Sequence, residues 1–230
     1  MLLLSVGQLM ADGMDGASAA ILKQYLAASA AQVDTPWQGS MELEISAFVP
    51  KLKKQGRLHA LRNISKVGQV TYRVLGFQGD NAIKNQVIAR YLQAEQQGHG
   101  DPGLALVPAN YKFKFKGERG TNTGSEVYIF QVSPRQKRTG LFKGEVWLDA
   151  QTHLPVYEKG RLVKNPSIFF KKVDFERAYT IRNGAPFPEH LRSTIETRVV
   201  GRVELNVNYS SAGSAGSEEA ETNSQSLPVN

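Results

Sequence analysis

A chain of 230 residues with 41% hydrophobic side chains suits one sizeable β domain and excludes disorder throughout. The formal net charge is +7, but the segment from Ser210 holds three acids and no base, leaving 28 bases against 18 acids in the body before it, a balance that suits anionic partners. The absence of cysteine excludes disulfides, thiolate metal sites, a cysteine nucleophile and a lipidated N-terminal cysteine.

Met1 to Met10 is an apolar run followed by Ala- and Gly-rich sequence through Ala20. It reads either as an export signal without its basic n-region or as ordinary N-terminal helix; on the favoured first reading, residues 1–16 are expected to be a truncated signal segment and the protein to work in the periplasm. No apolar run reaches about 18 residues, and no membrane-spanning helix is expected. Ala17 to Ala31 is a helix, with Ile21, Leu22, Tyr25 and Leu26 at helical spacing. The period then changes to two. Met41, Leu43, Ile45 and Ala47 alternate with Glu42, Glu44 and Ser46, Pro50 to Gly56 is a basic hairpin turn, and Arg57 to Ile64 and Gln69 to Phe77 complete a meander.

Asp80 caps a second helix, Asn81 to Gln97, whose apolar stripe is Ile83, Val87, Ile88, Tyr91 and Leu92. Gly79 before it and Gly98 after it give it flexible ends. Seven more strands follow: Tyr111 to Lys116, Glu126 to Ser133, Phe142 to Asp149, Pro155 to Val163, Ile168 to Ile181, Phe187 to Val199 and Arg202 to Tyr209. Turn signals stand at Gly124, Gly140, Gly160, Pro166, Gly184 and Gly201, and the short connections require antiparallel pairing. About ten strands cannot lie flat. The expected fold is mostly β (α+β): a strongly curved antiparallel half-barrel over residues 17–209, with two amphipathic helices on its concave side. Residues 210–230 read as a disordered tail.

With this order in place, Val146 to Pro155 (VWLDAQTHLP) and the preceding Tyr128 to Pro134 (YIFQVSP) resemble hairpins of the LolA-like superfamily, bacterial envelope proteins described as outer-membrane lipoprotein-sorting or carrier proteins. The resemblance spans about Ala17 to Tyr209. The basic insert around Arg135 to Lys143 and the stretch Lys164 to Phe170 depart from the usual carrier and mark a divergent subgroup. The resemblance implies a half-barrel cavity that holds acyl chains, and no individual site residue is carried over from it.

Motifs for other chemistry fail on context. Gly98 to Gly103 (GHGDPG) spells G-x-G-x-x-G but follows a helix and opens a loop, where a dinucleotide site needs a strand before and a helix after. His59, His99, His153 and His190 are scattered without ligand spacing, so neither a metal nor a cofactor is implied. Glu42 and Glu44 share the solvated face of a strand, and no serine stands in a nucleophile elbow, so no catalytic residue is assigned and an enzyme is not expected. The Lys and aromatic alternation of Tyr111 to Lys116 puts cations and rings on opposite faces, which argues against nucleic acid.

The apolar excess points to a ligand cavity. Ile83, Val87 and Tyr91 are expected on a helical lid, and Phe169, Phe175, Leu191, Ile195, Val199, Val203 and Leu205 on the wall. Lys51, Lys53, Lys54, Arg135, Lys137 and Arg138 are expected to meet an anionic membrane surface or an envelope protein. The reading is a periplasmic carrier of lipid or lipoprotein acyl chains; the alternative is an envelope sensor or scaffold that binds a peptide or protein partner.

Overall fold

The computed structural model describes residues 15–34, 39–120 and 124–211. The signal-like segment and nearly all of the polar tail lie outside the described residues. Helix α1 (Gly16–Asp34) is capped by Asp15, whose carboxylate accepts a hydrogen bond from the Ser18 amide at 2.8 Å. Three strands follow, β1 (Gly39–Val49), β2 (Lys54–Ile64) and β3 (Val70–Gly79). Helix α2 spans residues 81–98 and contains a π-helical turn at Lys84–Ile88. Asp80 caps it, accepting from the Ala82 amide at 2.7 Å and the Ile83 amide at 3.4 Å. After a loop come β4 (Tyr111–Gly120), β5 (Glu126–Pro134), β6 (Phe142–Asp149), β7 (Pro155–Leu162), β8 (Phe170–Arg182), β9 (Ala185–Thr197) and β10 (Arg202–Ser211).

All ten strands form one open antiparallel sheet in the order β3-β2-β1-β10-β9-β8-β7-β6-β5-β4. Every neighbour but one is a hairpin. The exception joins β1 to β10, in register from Met41 opposite Ser211 to Phe48 opposite Glu204. The chain therefore starts in the middle of the sheet, runs out to the β3 edge, and returns along the second wing from the β4 edge.

Alternation within strands separates the two faces. On β1, Met41, Leu43, Ile45, Ala47 and Val49 are all buried, while Glu42 and Glu44 face outward toward His59 and Arg57. The outer face of the second wing is laced with ion pairs, among them Lys159–Glu145, Arg161–Asp174 and Arg192–Glu176. Such exposed pairs contribute little each, about 0 to 1 kcal/mol, and serve mainly as a solvated face.

The inner face carries two apolar clusters. Ile83 and Ile88 of α2 pack on β1, β2, β9 and β10; Leu22 and Tyr25 of α1 pack on Phe130, Val132, Val146 and Leu148 of β5 and β6. Phe175 of β8 touches both clusters.

Three sequence expectations change. Gly160 lies inside β7 opposite Gly144, not in a turn. The first hairpin turn shrinks to residues 50–53, because Lys54 already pairs with Val49. Phe169 and Val199 fall just outside β8 and β9, since the ladder stops at Phe170 and Thr197.

Gly144 and Gly160 let two backbones approach closely. A Cβ on Gly144 would collide with the Lys159 carbonyl and come within 2.6 Å of the Gly160 Cα, both rigid backbone atoms. Gly144→Ala is expected to lower stability in urea denaturation by about 1–3 kcal/mol.

Candidate functional site

Paired residues of adjacent strands share a face, so the registers trace rows straight across the sheet. One inward row crosses all ten strands: Phe115, Phe130, Val146, Glu158, Arg177, Leu191, Val207, Ile45, Leu58 and Phe77. Eight members are apolar. The two charged ones are neighbours, on β7 and β8, at the gap between the two helix-covered clusters.

Accessibility along the row follows the helices. Phe130 and Val146 are fully buried in the cluster with α1, and Leu191 and Val207 are buried in the cluster with α2. Between them the Arg177 side chain keeps 39% of its surface accessible and Glu158 keeps 12%. Burial nevertheless raises the pKa of Tyr179 beside them, and it opposes the charge on Arg177 itself. This strip of the inner face is therefore only partly covered, with Arg177 reaching solvent and Glu158 largely enclosed.

On this strip the polar groups form a network. Arg177 Nη1 lies 3.4 Å from Glu158 Oε2 and donates to the Tyr179 hydroxyl at 3.1 Å, while that hydroxyl donates to Glu158 at 3.3 Å. Tyr179 first, then Glu158, hold the guanidinium in its charged form. Across the strip, the Tyr91 hydroxyl of α2 meets the Tyr209 hydroxyl of β10 at 2.9 Å. Burial raises both, Tyr209 to about 12, so they stay protonated donors at neutral pH. Arg177 Nε and Nη2 have no protein partner among the described residues, leaving donors for a ligand.

A second polar contact holds α2 down. Arg62 of β2, with 8% of its side chain accessible, places Nε 3.3 Å from Glu95 of α2. The buried Glu95 Oε2 and the Tyr72 hydroxyl beside it find no well-formed hydrogen bond among the described residues. Gln96 adds a bond to the Val70 carbonyl at 2.8 Å. The helix is thus fastened by an apolar stripe and a few polar ties.

The sequence-stated wall residues divide into three groups. Ile83, Leu191, Val203 and Leu205 are buried under or on α2; Val87, Tyr91, Phe175 and Ile195 are partly buried beside them. Phe169 and Val199 stand outside the ladder, 54% and 66% exposed. Glu158 and Arg177 were missed. Their signal was available: Arg177 occupies an inward position in the period-two run Val173, Phe175, Arg177, Tyr179 and Ile181.

No family model matches the chain, and no curated protein matches it. Solved structures do resemble it. A DUF1329 family protein from Desulfovibrio piger aligns over 83% of this chain and 90% of its own, with 13% identity and a TM-score of 0.42. A putative outer membrane lipoprotein-sorting protein domain from Vibrio parahaemolyticus aligns over 82% and 89%, with 11% identity and a TM-score of 0.37. A LolA superfamily protein from Nitrosomonas europaea covers 91% and 94%, with 10% identity and a TM-score of 0.35. The likeness is one of fold.

Arg62→Met removes the cation and leaves the Glu95 carboxylate against Tyr72. The expected loss in urea denaturation is about 2–4 kcal/mol, below the range for a fully enclosed pair because Glu95 keeps 22% of its side chain accessible. The double variant R62M/E95Q should lose less than the two single variants together, which a double-mutant cycle measures.

Proposed function

We propose that the strip between α1 and α2 binds an acyl chain or similar apolar group that carries a polar end, and that the protein is a carrier or binding protein of the bacterial envelope. The observation behind this reading is the inward row whose only charged members, Glu158 and Arg177, sit where neither helix covers the sheet.

An apolar chain gains about 0.8 kcal/mol for each methylene it buries, and Phe175, Ile195 and the edges of the two clusters supply the apolar surface. A ligand of hydrocarbon alone would strip water from Arg177 and Glu158 without replacing its hydrogen bonds, which is costly. The ligand's ester, amide or carboxyl end therefore lies on Arg177 and the tyrosines, and its chain runs along Phe175 and Ile195. Specificity for chain length is loose, because each added methylene contributes alike.

In this mechanism α2 is the cover. It must lift for a ligand to pass beneath the Tyr91–Tyr209 contact, and its polar ties exchange readily with water once opened. The π-helical turn at Lys84–Ile88 gives the helix a point of weaker regularity next to its buried Ile83 and Ile88. Binding of a peptide or protein partner on the same strip is the competing reading.

Native mass spectrometry of gently purified protein is expected to reveal bound lipid, and a fluorescent fatty-acid probe should enter the delipidated protein. Ile195→Trp should cut probe uptake while leaving the fold intact. Gating has its own test, since the chain holds no cysteine of its own. A Cβ on Gly56 would lie 3.1 Å from Ile83 Cγ2, so Gly56→Cys with Ile83→Cys can tie α2 to β2. Uptake should fall in the oxidised variant and return on reduction. Wild-type protein with neither bound lipid nor probe uptake would overturn the carrier reading in favour of a peptide or protein partner.

A further inference from the structure

We propose that one end of the sheet, formed by the β1–β2, β7–β8 and β9–β10 turns, docks on an anionic phospholipid surface by inserting an apolar tip within a basic rim. The inference does not depend on what the inner strip binds.

In a meander, alternate turns leave at the same end. The turns at 50–53, 135–141, 163–169 and 198–201 all do so here, and the strand order β2-β1-β10-β9-β8-β7 makes three of them neighbours. These three carry the largest exposed apolar side chains of that end: Ile168 at 81%, Val199 at 66%, Phe169 at 54% and Leu52 at 45%. Apolar groups this exposed are normally covered by something.

The tip is built. The Arg198 amide donates to the Phe169 carbonyl at 2.9 Å, and its Nε donates to the Ile168 carbonyl at 3.0 Å, which ties the β9–β10 turn to the β7–β8 turn. The side chain of Lys51 lies 3.7 Å from where a Cβ on Gly201 would stand, so the β1–β2 turn abuts the same group. The carbonyls are thus held inward by hydrogen bonds while Ile168, Phe169 and Val199 face out.

Charge selects the occupant. None of the four turns at this end contains an acid. Lys51, Lys53, Lys164 and Lys171 are exposed and form no ion pair among the described residues. The nearest acids on adjoining strands have basic partners: Glu196 lies 3.6 Å from Lys172, Asp174 pairs with Arg161 and Lys172, and Glu204 pairs with Arg202. Of the basic residues expected to meet an anionic surface, Lys51, Lys53 and Lys137 remain without ion pairs among the described residues. Lys54 is paired with Asp80 at 2.8 Å, Arg138 binds Asp101, and Arg135 donates to the Pro108 carbonyl at 2.6 Å. Apolar side chains rimmed by unneutralised lysines match the boundary between anionic head groups and acyl chains. No helix among the described residues is long and apolar enough to cross a membrane.

Cosedimentation of the full chain with vesicles tests this, comparing phosphatidylglycerol-containing vesicles with pure phosphatidylcholine. The wild type should bind the anionic vesicles and lose binding as salt rises. Ile168→Ser with Phe169→Ser should weaken binding about tenfold at fixed salt, and Lys51→Glu with Lys53→Glu and Lys164→Glu by about as much or more. Because all five side chains are exposed, far-ultraviolet circular dichroism and fatty-acid probe uptake should match the wild type in every variant. Equal binding by the wild type and the serine variant would overturn the proposal, as would failure of the wild type to bind anionic vesicles. Dimerisation that the serine variant abolishes, seen in light scattering without any vesicle binding, would assign the tip to a second copy of the chain and equally overturn it.

Discussion

The pairing of β1 with β10 brings the first and last strands together in the middle of the sheet, and the other features follow from that junction. With β1 central, β3 and β4 become opposite edges, and the only chain between them is α2 and the loop after it. That connection has to cross the inner face. The face is apolar over most of its width, so the crossing segment must be amphipathic, as the Ile83, Ile88 and Tyr91 stripe is. Loop-closure entropy makes such a pairing of distant strands the costly step of assembly. Once formed, it fixes the register of the inward row.

Two helices of modest length cannot cover ten curved strands. Each buries its own wing, and the uncovered part falls on β7 and β8, whose residues are nearly all half-buried on both faces. The residues placed there differ accordingly. An apolar pair would expose hydrocarbon to water there, whereas Glu158, Arg177 and Tyr179 are satisfied by one another. Under the proposed function, the same groups would restrict the ligand to one with a polar end. The outer face needs no such compromise and is covered by exposed ion pairs.

The strands were legible because alternation is a local signal. Met41, Leu43, Ile45 and Ala47 announced the inner face of β1, and Asp80 announced the start of α2. Less legible was anything set by pairing partners. Gly160 reads as a turn residue, yet it serves a close approach to Gly144 that only the β6–β7 register reveals. Phe169 and Val199 read as wall residues on hydrophobicity alone, but the ladder ends one or two residues short of them, which turns them outward. Arg177 and Glu158 were hidden for a related reason. Period two puts Arg177 on the inner face of β8, but only the register shows that it meets Glu158 there in an otherwise apolar row.

The account stands or falls on where a lipid chain lies. The most direct measurement is photocrosslinking with a fatty acid that carries a diazirine on its chain, followed by peptide mass spectrometry of the labelled protein. The account predicts adducts on the inward side of β8 and β9 and on α2, at Phe175, Ile195, Tyr91 and their neighbours, with labelling suppressed by Ile195→Trp. Adducts confined to the exposed tip at Ile168, Phe169 and Val199, or to the charged outer face, would contradict a ligand site on the inner strip.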